Sequence, residues 1–128
     1  MSVELRNATG KEFYFSTIGW AFYLNLATIY YGWEKSGTQP PKEWRDSECK
    51  WSGDYDWNAG QIVTAQDAKA YAVTLTKYLA DPNRKSNAKA LAQELGKVIE
   101  TDVSVDENDD AYINSFIEYA NSGGFEIW

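Results

Sequence analysis

The chain contains no histidine, one cysteine, one methionine and only three prolines. Without histidine, no side chain has an ordinary pKa close to neutrality. That removes the Ser-His-Asp and Cys-His arrangements of nucleophilic catalysis and the commonest transition-metal ligand. The lone Cys49 closes no intrachain disulfide, forms no C-x-x-C redox pair and builds no cysteine zinc site, and it suits a reducing cytoplasm. Residues Met1 to Lys11 carry Glu4, Arg6 and Lys11 and have no apolar run after a basic start, so no secretory leader is expected. The Gly-rich phosphate loop, the G-x-S-x-G elbow and the G-x-G-x-x-G dinucleotide fingerprint are all missing from the sequence. No cofactor is expected.

Positive charge is the other scarcity. Nineteen acids face twelve bases, a formal net charge of −7, and from Glu94 onward Lys97 is the one base among nine acids. An acidic C-terminal third argues against nucleic acid phosphates or anionic lipid as partners there and leaves basic proteins open. Asp102, Asp106, Glu107, Asp109 and Asp110 form its densest run and are the candidate partner-binding residues. The plain structural alternative is a solvated helix start, where Asp109 and Asp110 complement the helix dipole.

What is present is enough for one folded domain over residues 1–128: 44% hydrophobic and 24% charged residues, far from the composition of disorder. Phe13 to Trp33 carries no charged side chain. It is rich in Trp, Tyr and Phe and interrupted by Ser16, Thr17, Asn25 and Thr28, so it reads as a core helix capped by Ser16 or Thr17 and stopped at Gly32, not as a membrane span. Thr64 with Asp67 makes a variant capping box before a helix striped by Ala68, Tyr71, Ala72, Leu75 and Leu79, which Asp81-Pro82 ends. Ser86 or Asn87 caps a third helix with the stripe Ala88, Leu91, Ala92, Leu95, Val98 and Ile99. Asn108 or Asp109 caps a fourth, striped by Ile113, Phe116, Ile117 and Ala120 and ended by Gly123-Gly124. The short aromatic segments Glu12–Phe15 and Phe125–Trp128 suit a two-stranded terminal ribbon. The fold class expected is therefore mainly α: about four helices, a long Trp-rich connection and that ribbon.

The connection, Glu34 to Gln61, holds no clear period. Its aromatic residues together with Trp33, namely Trp33, Trp44, Trp51, Tyr55 and Trp57, read either as a lid packed on the first helix or as a stacking surface for a small ligand or carbohydrate. Within it, Asp54-x-Asp56-x-Asn58-x-Gly60-x-Ile62 alternates oxygen side chains as calcium loops do. The register is wrong for calcium: counting from Asp54, the glycine position holds Ala59 and the bidentate-acid position holds Ala65. A turn is the simpler reading, leaving Asp54, Asp56 and Asn58 as a weak metal candidate and no metal as the expectation.

Trp20 to Leu26-Ala27, Tyr31-Gly32-Trp33, Gly37-Thr38, Pro40-Pro41, Tyr55, Asn58, Gly60-Gln61, Val63, Asp67-Ala68 and Gly123-Gly124-Phe125-Glu126-Ile127 together give a pattern spanning most of the chain. In this it resembles a family of small uncharacterised bacterial proteins. The resemblance implies a bacterial, cytoplasmic protein and carries over no catalytic residue. The charge layout then points to a non-enzymatic, acidic interaction domain for a basic protein, as immunity-like or antitoxin-like proteins are. The alternatives are ligand binding through residues 33–61 and a histidine-free enzyme working with paired carboxylates.

Overall fold

The structure, a computed structural model, describes residues 2–41, 51, 53–56, 59–99 and 109–128. Its first element is a strand, β1 (Ser2–Asn7), where Val3 and Leu5 are buried and Glu4 and Arg6 face outward with the period of two that a half-buried strand requires. A turn over residues 8–10 leads into β2 (Glu12–Ser16), paired antiparallel with β1 from Ser2↔Ser16 to Arg6↔Glu12. Ser16 ends the strand and caps α1 (Thr17–Asn25), its Oγ accepting from the Gly19 N–H at 2.9 Å. A π-helical turn, Leu26–Tyr30, continues α1 and stops at Gly32, whose φ of +65° is the left-handed conformation that ends a helix. Trp20, Phe22, Tyr23, Leu24, Leu26 and Ala27 are buried, while Ile18 and Ile29 face out.

After the connection come β3 (Gln61–Val63), α2 (Ala65–Ala80), α3 (Arg84–Ile99), α4 (Asp109–Asn121) and β4 (Phe125–Ile127). The four strands form one antiparallel sheet in the order β2-β1-β4-β3. The mainly α class expected from the sequence is thus corrected to α+β, four helices with a four-stranded sheet. The two terminal segments are strands, but they do not form a ribbon with each other. β1 lies between them, and β4 pairs with β1 on one side and β3 on the other.

Helices α1 and α4 pack on one face of the sheet, with α2 against α4 and α3 against α1 and α2. Leu5, Phe15, Val63, Phe125 and Ile127 point into a core with Trp20, Tyr71, Leu75, Ile113 and Phe116, and α2 packs most extensively on α4. Aromatic rings hold this layer together: Phe116 meets Phe15 edge-on at 5.1 Å and Tyr71 at 5.3 Å, and Phe15 lies 5.3 Å from Trp20. Among the described residues, no helix is long and apolar enough to cross a membrane.

Candidate functional site

Two groups of carboxylates stand out, one inside the molecule and one outside. The inner one is Asp67, 1% exposed, in the first turn of α2. Thr64 Oγ1 accepts from the Asp67 N–H at 3.2 Å, so half of the expected capping box is present. The Asp67 carboxylate turns instead to the connection. Ser36 donates its N–H to both oxygens at 3.1 Å and its Oγ–H to Oδ1 at 2.6 Å; the Gly37 N–H donates to Oδ2 at 3.2 Å, and the Tyr55 hydroxyl donates to Oδ2 as well. Burial pushes this carboxyl up, but the hydrogen bonds from Ser36, Tyr55 and the backbone of Ser36 and Gly37 together outweigh it and hold Asp67 below the ordinary carboxylate value. Tyr55 moves the other way, raised by burial and by the Asp67 carboxylate it donates to. Four donors on two oxygens leave this carboxylate little capacity for a substrate. It fastens residues 36–37 and Tyr55 to the start of α2.

The predicted aromatic residues divide around this knot. Trp33 and Tyr55 are 5% and 3% exposed. Trp33 stacks on Tyr71 at 4.3 Å and meets Tyr55 edge-on at 4.8 Å, so these rings form core and not an open groove. Lys35 Nζ lies over both Trp33 and Tyr55, 5.5 and 5.4 Å from the ring centres. The Trp33 indole N–H and the Tyr71 hydroxyl are buried without a hydrogen-bond partner among the described residues. Trp51 is half-buried and donates its indole N–H to the Thr38 carbonyl at 2.8 Å. Trp44 and Trp57 lie outside the described residues. Of the weak metal candidate, Asp54 is half-buried, Asp56 is exposed, and Asn58 lies outside the described residues. Among the described residues no three His, Cys, Asp or Glu side chains gather as a metal would require.

Asp102, Asp106 and Glu107 lie outside the described residues, and Asp109 opens α4. Asp110 accepts from the Arg84 guanidinium at 2.6 Å, an ion pair between the starts of α4 and α3.

The outer carboxylates are the ones that sequence reasoning missed. On the sheet face opposite the helices stand Glu12 and Tyr14 of β2, Glu4 and Arg6 of β1, and Glu126 of β4, followed by Trp128. Tyr14 is 50% exposed and Trp128 41%. The Tyr14 hydroxyl reaches Glu12 Oε2 at 2.5 Å and Glu4 Oε1 at 3.0 Å, so one proton serves two carboxylates. Those two carboxylates, Glu12 first, push the phenol above its ordinary value and keep it a donor. Arg6 donates to Glu4 Oε2 at 2.6 Å, which lowers the Glu4 pKa, and its guanidinium lies 5.3 Å from the centre of the Trp128 ring. Trp128 in turn donates its indole N–H to Glu126 at 3.1 Å. The ring rests on Gly60, where φ is +87° and a Cβ would come within 2.7 Å of the indole; only glycine leaves the ring its place. Among the described residues this face thus carries three carboxylates and one guanidinium, the latter bonded to Glu4, around two half-exposed aromatic rings.

No protein family, curated protein or solved structure matches the chain. The signal for the outer face was in the sequence, as the alternation Val-Glu-Leu-Arg at residues 3–6 and Phe-Glu-Ile-Trp at 125–128.

Proposed function

We propose that this protein is a non-enzymatic, acidic interaction domain that binds a basic protein partner in the bacterial cytoplasm, as immunity-like or antitoxin-like proteins do. The observation that carries this reading is the outer sheet face, where Glu4, Glu12 and Glu126 outnumber Arg6 and where Tyr14 and Trp128 are half-exposed. Tyrosine and tryptophan are the side chains that most often anchor protein interfaces, because they bury much area at little entropic cost. An excess of one charge on a flat surface steers an oppositely charged partner toward it. The overall charge of −7 has the same sign and extends the attraction. The fully engaged acceptors of Asp67 favour a structural part for the one carboxylate buried among the described residues, which supports binding over catalysis.

The test compares wild type with a Glu12→Gln, Glu126→Gln variant, which keeps shape and removes charge. Both are used to capture partners from lysate of the native host at low ionic strength, and association of any captured protein is then timed against salt. The expected result is a basic partner whose association slows as salt rises and which the variant retains poorly. Equal retention by the two proteins would overturn the reading.

A further inference from the structure

The sheet ends on one side at β3 and on the other at β2. The β3 side is already engaged, because Gln39 and Ile62 exchange both backbone hydrogen bonds, at 2.8 and 2.9 Å. The β2 side follows from the pairing register. The Asn7 N–H donates to the Lys11 carbonyl at 3.1 Å, which makes Asn7↔Lys11 a hydrogen-bonded pair; by the alternation of an antiparallel ladder, Leu5↔Phe13 and Val3↔Phe15 are the next two. The Trp128 N–H donating to the Glu4 carbonyl at 2.7 Å agrees, since Glu4 then points its backbone toward β4. Phe13 and Phe15 thus turn their N–H and C=O groups inward to β1, and Glu12 and Tyr14 turn theirs outward from the sheet. Glu12, Tyr14 and Ser16 are exposed.

The two sides of this edge differ in chemistry. On the outer side lie the Glu12 carboxylate and the Glu4–Tyr14 pair bonded to it. On the inner side, exposed Tyr112 of α4 stands 5.0 Å from Phe13 and 5.4 Å from Phe15, an aromatic shelf beside the strand. We propose that the basic partner docks by adding an extended segment antiparallel to β2 as a fifth strand, with Lys or Arg at alternate positions over Glu12 and Tyr14 and apolar residues between them on Phe13 and Tyr112. This rests on the basic-partner reading above and adds where and in what conformation the partner binds. Backbone pairing supplies affinity in such strand addition, and the alternating side chains supply selectivity. A second copy of this chain fits less well, because it would bring together two edges that each carry Glu12, on two molecules each of charge −7.

The probe is a seven-residue peptide alternating lysine with valine, lysine at both ends. Two further versions carry N-methyl groups on the backbone nitrogens, one at every interior lysine and one at every valine. In the proposed register the interior lysine N–H groups face β2 and the valine N–H groups face solvent. The unmodified and valine-methylated peptides are expected to bind and to slow amide exchange at Glu12 and Tyr14, while the lysine-methylated peptide binds about tenfold more weakly or worse. If both methylated peptides bind alike and those amides stay unprotected, strand addition is wrong and charge attraction alone survives. If neither modified nor unmodified peptide binds, strand addition is likewise overturned, and the capture experiment alone decides the basic-partner reading. Protection of the Glu12 and Tyr14 amides that grows with protein concentration, without peptide, would assign the edge to a second copy and also overturn the proposal.

Discussion

Asp67 and the sheet-face glutamates are the same chemical group in opposite settings. Asp67 is enclosed and receives four hydrogen-bond donors, two from the backbone and two from hydroxyls, all on the connection it fastens. Glu4, Glu12 and Glu126 lie along the outer face and share one tyrosine hydroxyl, one guanidinium and one indole N–H. A carboxylate that leaves water must have its lone pairs filled from within, and whatever fills them is fixed in place. A carboxylate that stays in water keeps its field for other molecules, and its removal hardly touches the fold. The comparison separates the charge that builds this protein from the charge free to attract a partner.

The largest effect that would sharpen this contrast is expected next to the knot. Trp33→Ala removes a ring stacked on Tyr71 and should cost roughly 3–5 kcal/mol in a denaturant titration; near-wild-type stability would mean that the Trp33 ring is not part of the core. Asp67→Asn presents an amide where the Gly37 N–H and the Tyr55 hydroxyl need an acceptor, and should cost about 3 kcal/mol by the same measurement. Its pH dependence carries a sign. The Asp67 pKa is lowered in the folded state, so its contribution is fully present above the unfolded value of about 4 and is lost as pH falls through the lower folded value. Thermal melts should therefore show the gap between wild type and Asp67→Asn wide at pH 7 and narrowing below about pH 4. Tyr55→Phe deletes one donor and leaves the ring, for a loss of about 1–2 kcal/mol. At the small end, Glu12→Gln with Glu126→Gln should leave the melting temperature unchanged while weakening partner capture. A melting temperature well below wild type would break the division between inner and outer carboxylates.

The helices were legible in the sequence because their signals are local. Thr64, the stripe from Ala68 to Leu79 and the Asp81-Pro82 stop lie within one α2-length window, and α2 runs from Ala65 to Ala80 as that pattern predicts. For α3 the cap was misplaced by two residues or more, since Ser86 and Asn87 lie within a helix that begins at Arg84. The sheet was legible only in part: Glu12–Phe15 and Phe125–Trp128 read as strands and are β2 and β4, but not as neighbours of β1 and β3. β3 has three residues, too few for a period of two to stand out, and the strands that pair with β4 lie far away in sequence. β1 does alternate, but with only Val3 and Leu5 as apolar positions alternating with Glu4 and Arg6 the pattern is too short to mark a strand. The outer acidic face was hidden as well: Glu4, Glu12 and Glu126 make no run in the sequence, and only the register brings them together. For Asp67 the sequence showed the cap and not the knot, because Ser36 and Gly37 are about thirty residues away and no local rule links them.

The placement of β4 beside β1 has a consequence for how the protein is made. A ribosome delivers β1 and β2 first, and they can close as a hairpin at once. The strand that belongs against the other side of β1 is the last of these elements to be translated, about 120 residues later. At elongation rates of about 5–20 residues per second, the hairpin waits on the order of ten seconds with that side unpaired. Throughout this interval Leu5 and Phe15 lack the covering they receive from β4 and α4, so an apolar strand pair with one open side persists until synthesis is nearly complete.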